Sequence, residues 1–445
     1  MKVGALVLRR ERGGFDQEWG REIEKKAENV LTSSDYDVFF SKKHIVDDKS
    51  LRSALDECRD EDVNTLLVLQ PTMSDGKLAS VLAQQWDLPV VFWATPEKPE
   101  SVSSNSLVGN HIFMSAFRQF GHPFEFVYGM PGENETNKQI NSSVKIVNTV
   151  DRLQNSRLDL IGYHAPGFID MSMDPYLLSQ SLGAQMSYTS LPQFTSLMKS
   201  ISDEYIKEDI DKIHNLPVEI DNVSGDVLSM SSRFHLSFRR HIDDQNLDGL
   251  AIRDWSELSG RFEFWPYLSI SRLLSEDVPV AMEGDVDGAL SCLIGSSLGC
   301  GPVYISDWLE HTDDTVALWH TGNAPFQLSK SMGSDGGARV AKHFNNQNPA
   351  VVDADLRPNM PITVYRFWHC DNEYKFASFE AETIDPPKQL KGTNGFARVD
   401  DLSINSLFRS LCMEGMPHHV SVVEGHHSEL LKRLADQLDL SVVSV

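Results

Sequence analysis

Cysteine is scarce in this 445-residue chain. The five that occur, Cys58, Cys292, Cys300, Cys370 and Cys412, stand far apart with no C-x-x-C pair, which excludes a disulfide framework and a zinc knuckle. Positive charge is also short, since 40 Lys and Arg against 64 Asp and Glu leave a formal charge of −24. Nucleic acid is thereby disfavoured as a partner, because phosphate recognition concentrates Lys and Arg on one face. No apolar run reaches the length of a membrane span. Met1 to Leu8 passes directly into a strand pattern with no signal-peptide layout, so a cytoplasmic protein with no membrane partner is expected. That strand is followed by Arg9-Arg10-Glu11-Arg12-Gly13-Gly14 rather than G-x-G-x-x-G, and a nucleotide cofactor is disfavoured as well.

What is present is the composition of a soluble globular protein, with 41% hydrophobic and 23% charged residues, in a chain too long for one core. Short apolar runs alternate with helical spacing from Val3 onward, and the pattern predicts an α/β fold. Two doubly wound parallel-sheet domains are followed by a β-rich, barrel-like C-terminal domain. The first, flavodoxin- or Rossmann-like, is placed at 1–140 and ends in a polar linker over 129–141. The second, over 141–300, carries Glu283. The third, over 301–445, carries Asp307, His320 and His419.

The stretch from Val278 to Pro325 is the most informative. Val278 to Met282 is an apolar run, and Ala289, Leu290, Leu293, Ile294 and Leu298 follow with helical spacing closed by Gly299, which sets Glu283 in a strand-to-helix turn. Pro302 to Ile305 then runs as a strand into Asp307, and Thr315 to Trp319 as another into His320. Three potential ligands thus end three strands, where α/β proteins bind their ligands. Carboxylates with imidazole suit a divalent ion of the Mn, Fe, Co or Zn type, whereas an all-oxygen set points to Mg or Ca. Each carboxylate alone has a plainer use as a helix cap or a solvated side chain. Of His418 and His419, adjacent on a strand, only one can face such a site. The basic cluster Arg9, Arg10 and Arg12 is placed to meet an anionic group or to pair with nearby acids.

The segments AMEGDVDGAL, SDW, WHTGNAP and GMPHHV resemble those of the L-fucose isomerase and L-arabinose isomerase superfamily, whose members convert aldoses to ketoses with manganese. The resemblance is strongest over 260–325 and 411–445. It implies Glu283 and Asp307, twenty-four residues apart, as catalytic carboxylates that also bind metal, His419 as the imidazole ligand, and His320 as the further histidine of the arabinose-type enzymes. It implies Mn2+ or another divalent transition metal, a monosaccharide substrate, and a homo-oligomer, trimer or hexamer, whose active sites are shared between subunits. Asp285 is expected to orient the ligands by hydrogen bonding. Arg10, His111, Trp308, Asn323 and His418 are expected to contact substrate.

The chemistry implied is ketol isomerisation through an enediolate, with Glu283 and Asp307 as acid and base. The chain is shorter than the fucose and arabinose enzymes, and its substrate is either a sugar of their kind or a modified one such as sulfoquinovose. A non-catalytic sugar-binding protein and a metal-dependent sugar epimerase or aldolase are the rival readings.

Overall fold

The computed structural model describes residues 1–10, 14–41, 44–400 and 402–443, so that Glu11 and Arg12 of the basic cluster lie outside the described residues. The chain divides into two compact units, Met1–Arg152 and Leu153–Val445.

The first unit is built on a parallel sheet of β1 (Lys2–Val7), β2 (Asp37–Phe40), β3 (Thr65–Gln70), β4 (Val90–Ala94) and β5 (Phe124–Tyr128), in the order β2-β1-β3-β4-β5. Successive strand residues point to opposite faces, and both faces are apolar. Leu66, Val68, Val90 and Phe92 pack under helices Asp48–Asp60, Lys77–Gln85 and Ser106–Phe120 through Leu51, Leu82 and Phe117. Leu67, Leu69, Val91 and Trp93 pack under helices Gln17–Thr32 and Asn134–Gln154 through Ile23 and Val144. The segment read as a linker over 129–141 is helical from Asn134 onward. Most of its polar residues lie on the outer side of a long helix whose apolar buried stripe, Ile140, Val144 and Val147, begins only in its second turn, after the buried Thr136.

The second unit joins a small parallel sheet to a barrel. The sheet comprises β6 (Arg157–Ile161), β7 (Gln185–Thr189), β8 (Gly249–Ile252) and β9 (Val280–Ala281), ordered β7-β6-β8-β9. The barrel strands are β10 (Tyr304–His311), β11 (Thr315–His320), β12 (Arg339–Ala341), β13 (Val351–Asp355), β14 (Pro361–Cys370), β15 (Glu373–Ile384), β16 (Thr393–Arg398), β17 (His419–Glu424) and β18 (Ser441–Val442). β16, β11, β10, β17, β14 and β15 pair antiparallel in that order, and β15 closes back on β16 through Glu382–Arg398, Thr383–Ala397 and Ile384–Phe396. Tyr304, Trp308, Val316, Leu318, Val364, Phe379, Val420 and Val422 share the apolar cluster of the barrel. The helix Val286–Leu298 leaves β9 and is buried along most of its length. It ends at Gly299 with φ 71°, in the left-handed region that glycine favours.

Candidate metal centre

Glu283 follows β9 in a turn whose backbone enters the left-handed region twice, at Glu283 (φ 61°) and Gly284 (φ 76°). A non-glycine residue in that region costs free energy unless its surroundings impose it. Here they do. The Glu283 N–H donates to Asp254 Oδ1 at 2.6 Å, and its carbonyl accepts from the Ala165 N–H at 2.8 Å. A Cβ on Gly284 would lie 2.4 Å from the Cα of His164 and from the Tyr163 carbonyl oxygen, so the loop after β6 can press against this turn only if the residue is glycine. The other oxygen of Asp254 accepts from the Tyr267 hydroxyl at 2.6 Å. Asp254 is fully enclosed, and burial together with the Glu283 charge pushes its pKa up to about 7.

The remaining donors come from the barrel. Asp307 on β10 is the register partner of His419 on β17, which sets both side chains on one side of the sheet. Their neighbours Trp308 and Val420 point into the barrel core. His419 Nε2 lies 3.4 Å from Glu283 Oε2 and 3.5 Å from Asp307 Oδ1. His320, the last residue of β11, sets its ring 5.1 Å from that of His419. Glu283, His320 and His419 each offer a ligand atom within 4.8 Å of the others, and Asp307, His418 and His419 form a second such set.

A buried chain of charges stands behind His419. Its Nδ1 lies 2.9 Å from Asp285 Oδ2, and both Asp285 oxygens take the guanidinium of Arg366, at 2.8 and 2.6 Å. Asp285 also caps the helix Val286–Leu298 by accepting the Gly288 N–H. With the Nδ1 hydrogen committed to Asp285, Nε2 is the atom turned to the cluster, and it is fully buried with no hydrogen-bond partner among the described residues. An orphaned imidazole nitrogen between two carboxylates, with a second imidazole beside it, fits a divalent transition metal by donor chemistry and by enclosure.

The electrostatics agree. Burial opposes a charge on Glu283, but His418 and His419 outweigh it and hold the carboxyl well below the usual carboxylate range. Burial works against protonation of His419, and Asp285 and Glu283 overcome it, pushing its pKa up to about 10. Burial lowers His320. The expectation that only one of the two adjacent histidines faces the site does not hold: His418 precedes β17 and escapes its alternation, is tied by Nδ1 to Asp170 at 2.6 Å on the rim, and turns Nε2 towards Glu283 and Asp307, at 3.8 and 3.9 Å.

Within the second unit, two of the expected substrate contacts point elsewhere. Trp308 turns into the barrel core against Phe379 and Phe408, because it alternates with Asp307 along β10. Asn323 is fully buried and donates to the Ile305 carbonyl, tying the turn after His320 to β10 rather than facing a substrate. Asp307 lies within β10, not at a strand end. Arg10 and His111 belong to the first unit. There Arg10 stands 3.8 Å from Asp75 and Arg9 pairs with Glu24, while His111 is exposed on the helix Ser106–Phe120. Arg366, Asp254, Tyr267 and Asp170 were not foreseen. For Arg366 a signal existed, since it interrupts the apolar run Ile362–Trp368, where a charge must be paired.

No protein-family profile matches the chain. Similarity to individual proteins is extensive. A sulfoquinovose isomerase of Alkalicoccus urumqiensis is 24% identical over 379 residues, 84% of each chain. One of Priestia aryabhattai is 23% identical over 433 residues, 96% of this chain and 95% of that one. One of Clostridium sp. (strain MSTE9) is 23% identical over 428 residues, 94% and 93% of the two chains. Among solved structures, a glucose-galactose binding protein from Geobacillus stearothermophilus matches at 9% identity and a TM-score of 0.18 over 67% of this chain and 91% of that one, too low to carry an argument. No helix among the described residues is long and apolar enough to cross a membrane.

Proposed function

We propose that this chain is a metal-dependent aldose–ketose isomerase acting on sulfoquinovose or a closely related sugar, with manganese or another divalent transition metal as its cofactor. Relatives similar over nearly the whole of both chains, and named for this reaction, support the class. The single observation that carries the mechanism is that the buried His419 Nε2, with His320 beside it, stands between Glu283 and Asp307, residues distant in sequence.

A divalent ion, when bound, supplies Lewis-acid stabilisation of negative charge on two neighbouring sugar oxygens. Glu283, Asp307, His320 and His419 would hold it. Glu283 and Asp307 also serve as base and acid. A proton leaves carbon 2 as the enediolate forms, one is delivered to carbon 1, and the hydroxyl hydrogen of O2 passes to O1. Each positioned carboxylate contributes about 10²- to 10⁴-fold. Asp285 and Arg366 hold His419 in one tautomer, and Asp254 holds Glu283 in place. His418 stands on the open side, where it can donate to a sugar oxygen. A trimer or hexamer belongs to the same proposal, and the apolar Leu107, Val108, Ile112 and Phe120, exposed on one helix of the first unit, supply a face that association would cover.

The test is incubation of the manganese-loaded protein with sulfoquinovose and a panel of neutral aldoses, followed by NMR in deuterated water. A ketose product carrying solvent deuterium beside the carbonyl is expected. Carbon–carbon cleavage or an inverted hydroxyl would replace isomerisation by the aldolase or epimerase reading, and binding without turnover would leave a sugar-binding protein.

Metal binding should also release protons. His419, pushed up to about 10, holds a proton at neutral pH that Nε2 must shed in order to coordinate. Calorimetric titration with manganese at pH 7, repeated in buffers of different ionisation enthalpy, is expected to show roughly one proton released per ion. No release would remove His419 from the ligand set.

A further inference from the structure

The centre is rich in negative charge. Glu283, Asp307, Asp170, Asp254 and Asp285 all stand in or directly behind it, and a substrate bearing a fixed anion would be repelled unless a cation received that end. The connections that leave the carboxyl ends of β6, β7, β8 and β9 run over 162–174, 190, 253–256 and 282–285, and among their residues one Lys or Arg occurs, Arg253. Arg366 is fully buried and already occupied by both oxygens of Asp285.

Arg253 directly follows β8 and directly precedes Asp254, the residue that fixes the Glu283 backbone. Its stem is wedged against the loop after β6. A Cβ on Gly162 would come within 3.0 Å of the Arg253 Cβ and 2.8 Å of Leu191, and Gly162 sits at φ 95°, so glycine there is what lets the arginine approach. The Arg253 stem thus lies against the loop that carries His164 two residues further on. Burial first, and then the Arg253 charge, lower the pKa of the His164 imidazole. The same loop presses on Gly284 beside Glu283 and carries Asp170, which holds His418 at the cluster, so one segment joins Arg253 to the metal donors.

Arg253 is not fully engaged. Its Nη2 meets Glu257 at 2.5 Å, a contact whose acid is 47% exposed, and its Nε has no hydrogen-bond partner among the described residues. An ion pair with so exposed an acid contributes little and gives way readily to a better-placed anion. A guanidinium presents parallel N–H groups, and an anion with three equivalent oxygens accepts two of them while leaving a third for a neighbouring imidazole N–H.

Resting on the isomerase reading above, we infer that Arg253, with His164 beside it, is the subsite for the anionic end of the substrate, a sulfonate on the carbon farthest from the reacting pair. Arg253 is then a specificity-determining residue, and the carbons undergoing chemistry lie at the opposite end of the crevice.

The experiment compares sulfoquinovose with quinovose, the same sugar lacking only the sulfonate, on the metal-loaded wild type and on Arg253→Met and Arg253→Lys. For Arg253→Met the ratio of kcat/KM for sulfoquinovose to that for quinovose is expected to fall at least about 30-fold, mostly through KM, with part of the loss restored in Arg253→Lys. An unchanged ratio, or equal losses on both sugars, overturns the inference. Calorimetric binding of sulfoquinovose reads the subsite without turnover. If the wild type binds the sugar but isomerises neither, the isomerase reading fails, and the subsite stands only if Arg253→Met weakens that binding by a similar factor. A wild type that does not bind sulfoquinovose overturns it outright. Should Arg253→Met not fold, the Arg253→Lys comparison decides alone: its ratio must drop about fivefold or more, because a point charge does not reproduce the two-pronged fit.

Discussion

Glu283→Gln should lower kcat by at least about 10³-fold, while the protein still folds and retains part of its affinity for manganese. The carboxylate has two tasks, and glutamine fails at both. An amide cannot accept the proton that leaves carbon 2, and it is a weaker metal donor than a carboxylate. The substitution also removes the anion 3.4 Å from His419 Nε2, so the imidazole loses one of the two charges that hold its proton. Because the backbone at this position is imposed by Asp254, Ala165 and the Gly284 contact with the loop after β6, the side-chain change should leave the turn where it is. Metal content after dialysis, measured beside single-turnover rates, separates lost chemistry from lost metal. Full turnover by Glu283→Gln would remove the catalytic assignment.

Arg366→Met should destabilise the protein by about 3–5 kcal/mol, read from the urea midpoint. The argument is one of asymmetry. The Asp285 carboxylate lies at 1% exposure and loses both charge-assisted hydrogen bonds, which leaves a buried anion supported by His419 and one backbone N–H. Removing the carboxylate as well, as in Asp285→Asn combined with Arg366→Met, should recover part of the loss, since an uncharged amide is cheaper to bury than an unpaired anion. Metal affinity should fall about 10- to 100-fold in Arg366→Met, because the group that orients His419 is itself no longer oriented. A change in stability below about 1 kcal/mol with unaltered metal affinity would show that the chain from Arg366 to His419 has no such role.

Legibility in the sequence followed physical locality. The alternation of short apolar runs with helical spacing is a local property, and the parallel strands of the first unit fall close to where the runs place them. Glu283 in its strand-to-helix turn was equally readable, because turns are written within a few residues, whereas the sequence leaves the cap of the following helix open between Asp285 and Asp287 and the structure uses Asp285. The polar stretch over 129–141 has the composition of a linker, and the apolar stripe that marks its helix starts only at Ile140. Asp307 could be chosen as a candidate, but its place in the interior of β10 opposite His419 depends on antiparallel pairing across more than a hundred residues, which no window discloses. Trp308 and Asn323 show the same limit: whether a side chain faces the substrate or the core is set by register. Asp254, Asp170 and Arg253 stood in plain loops without a motif, and their significance comes only from what the fold sets beside them.

Glu283 leaves the parallel sheet, whereas Asp307, His320 and His419 belong to the barrel. A cation gripped by all four is therefore a cross-brace between two layers otherwise joined by packing and hydrogen bonds. Its binding free energy is shared by both layers, so chelation should lower the melting temperature of the second unit as a whole instead of loosening one loop.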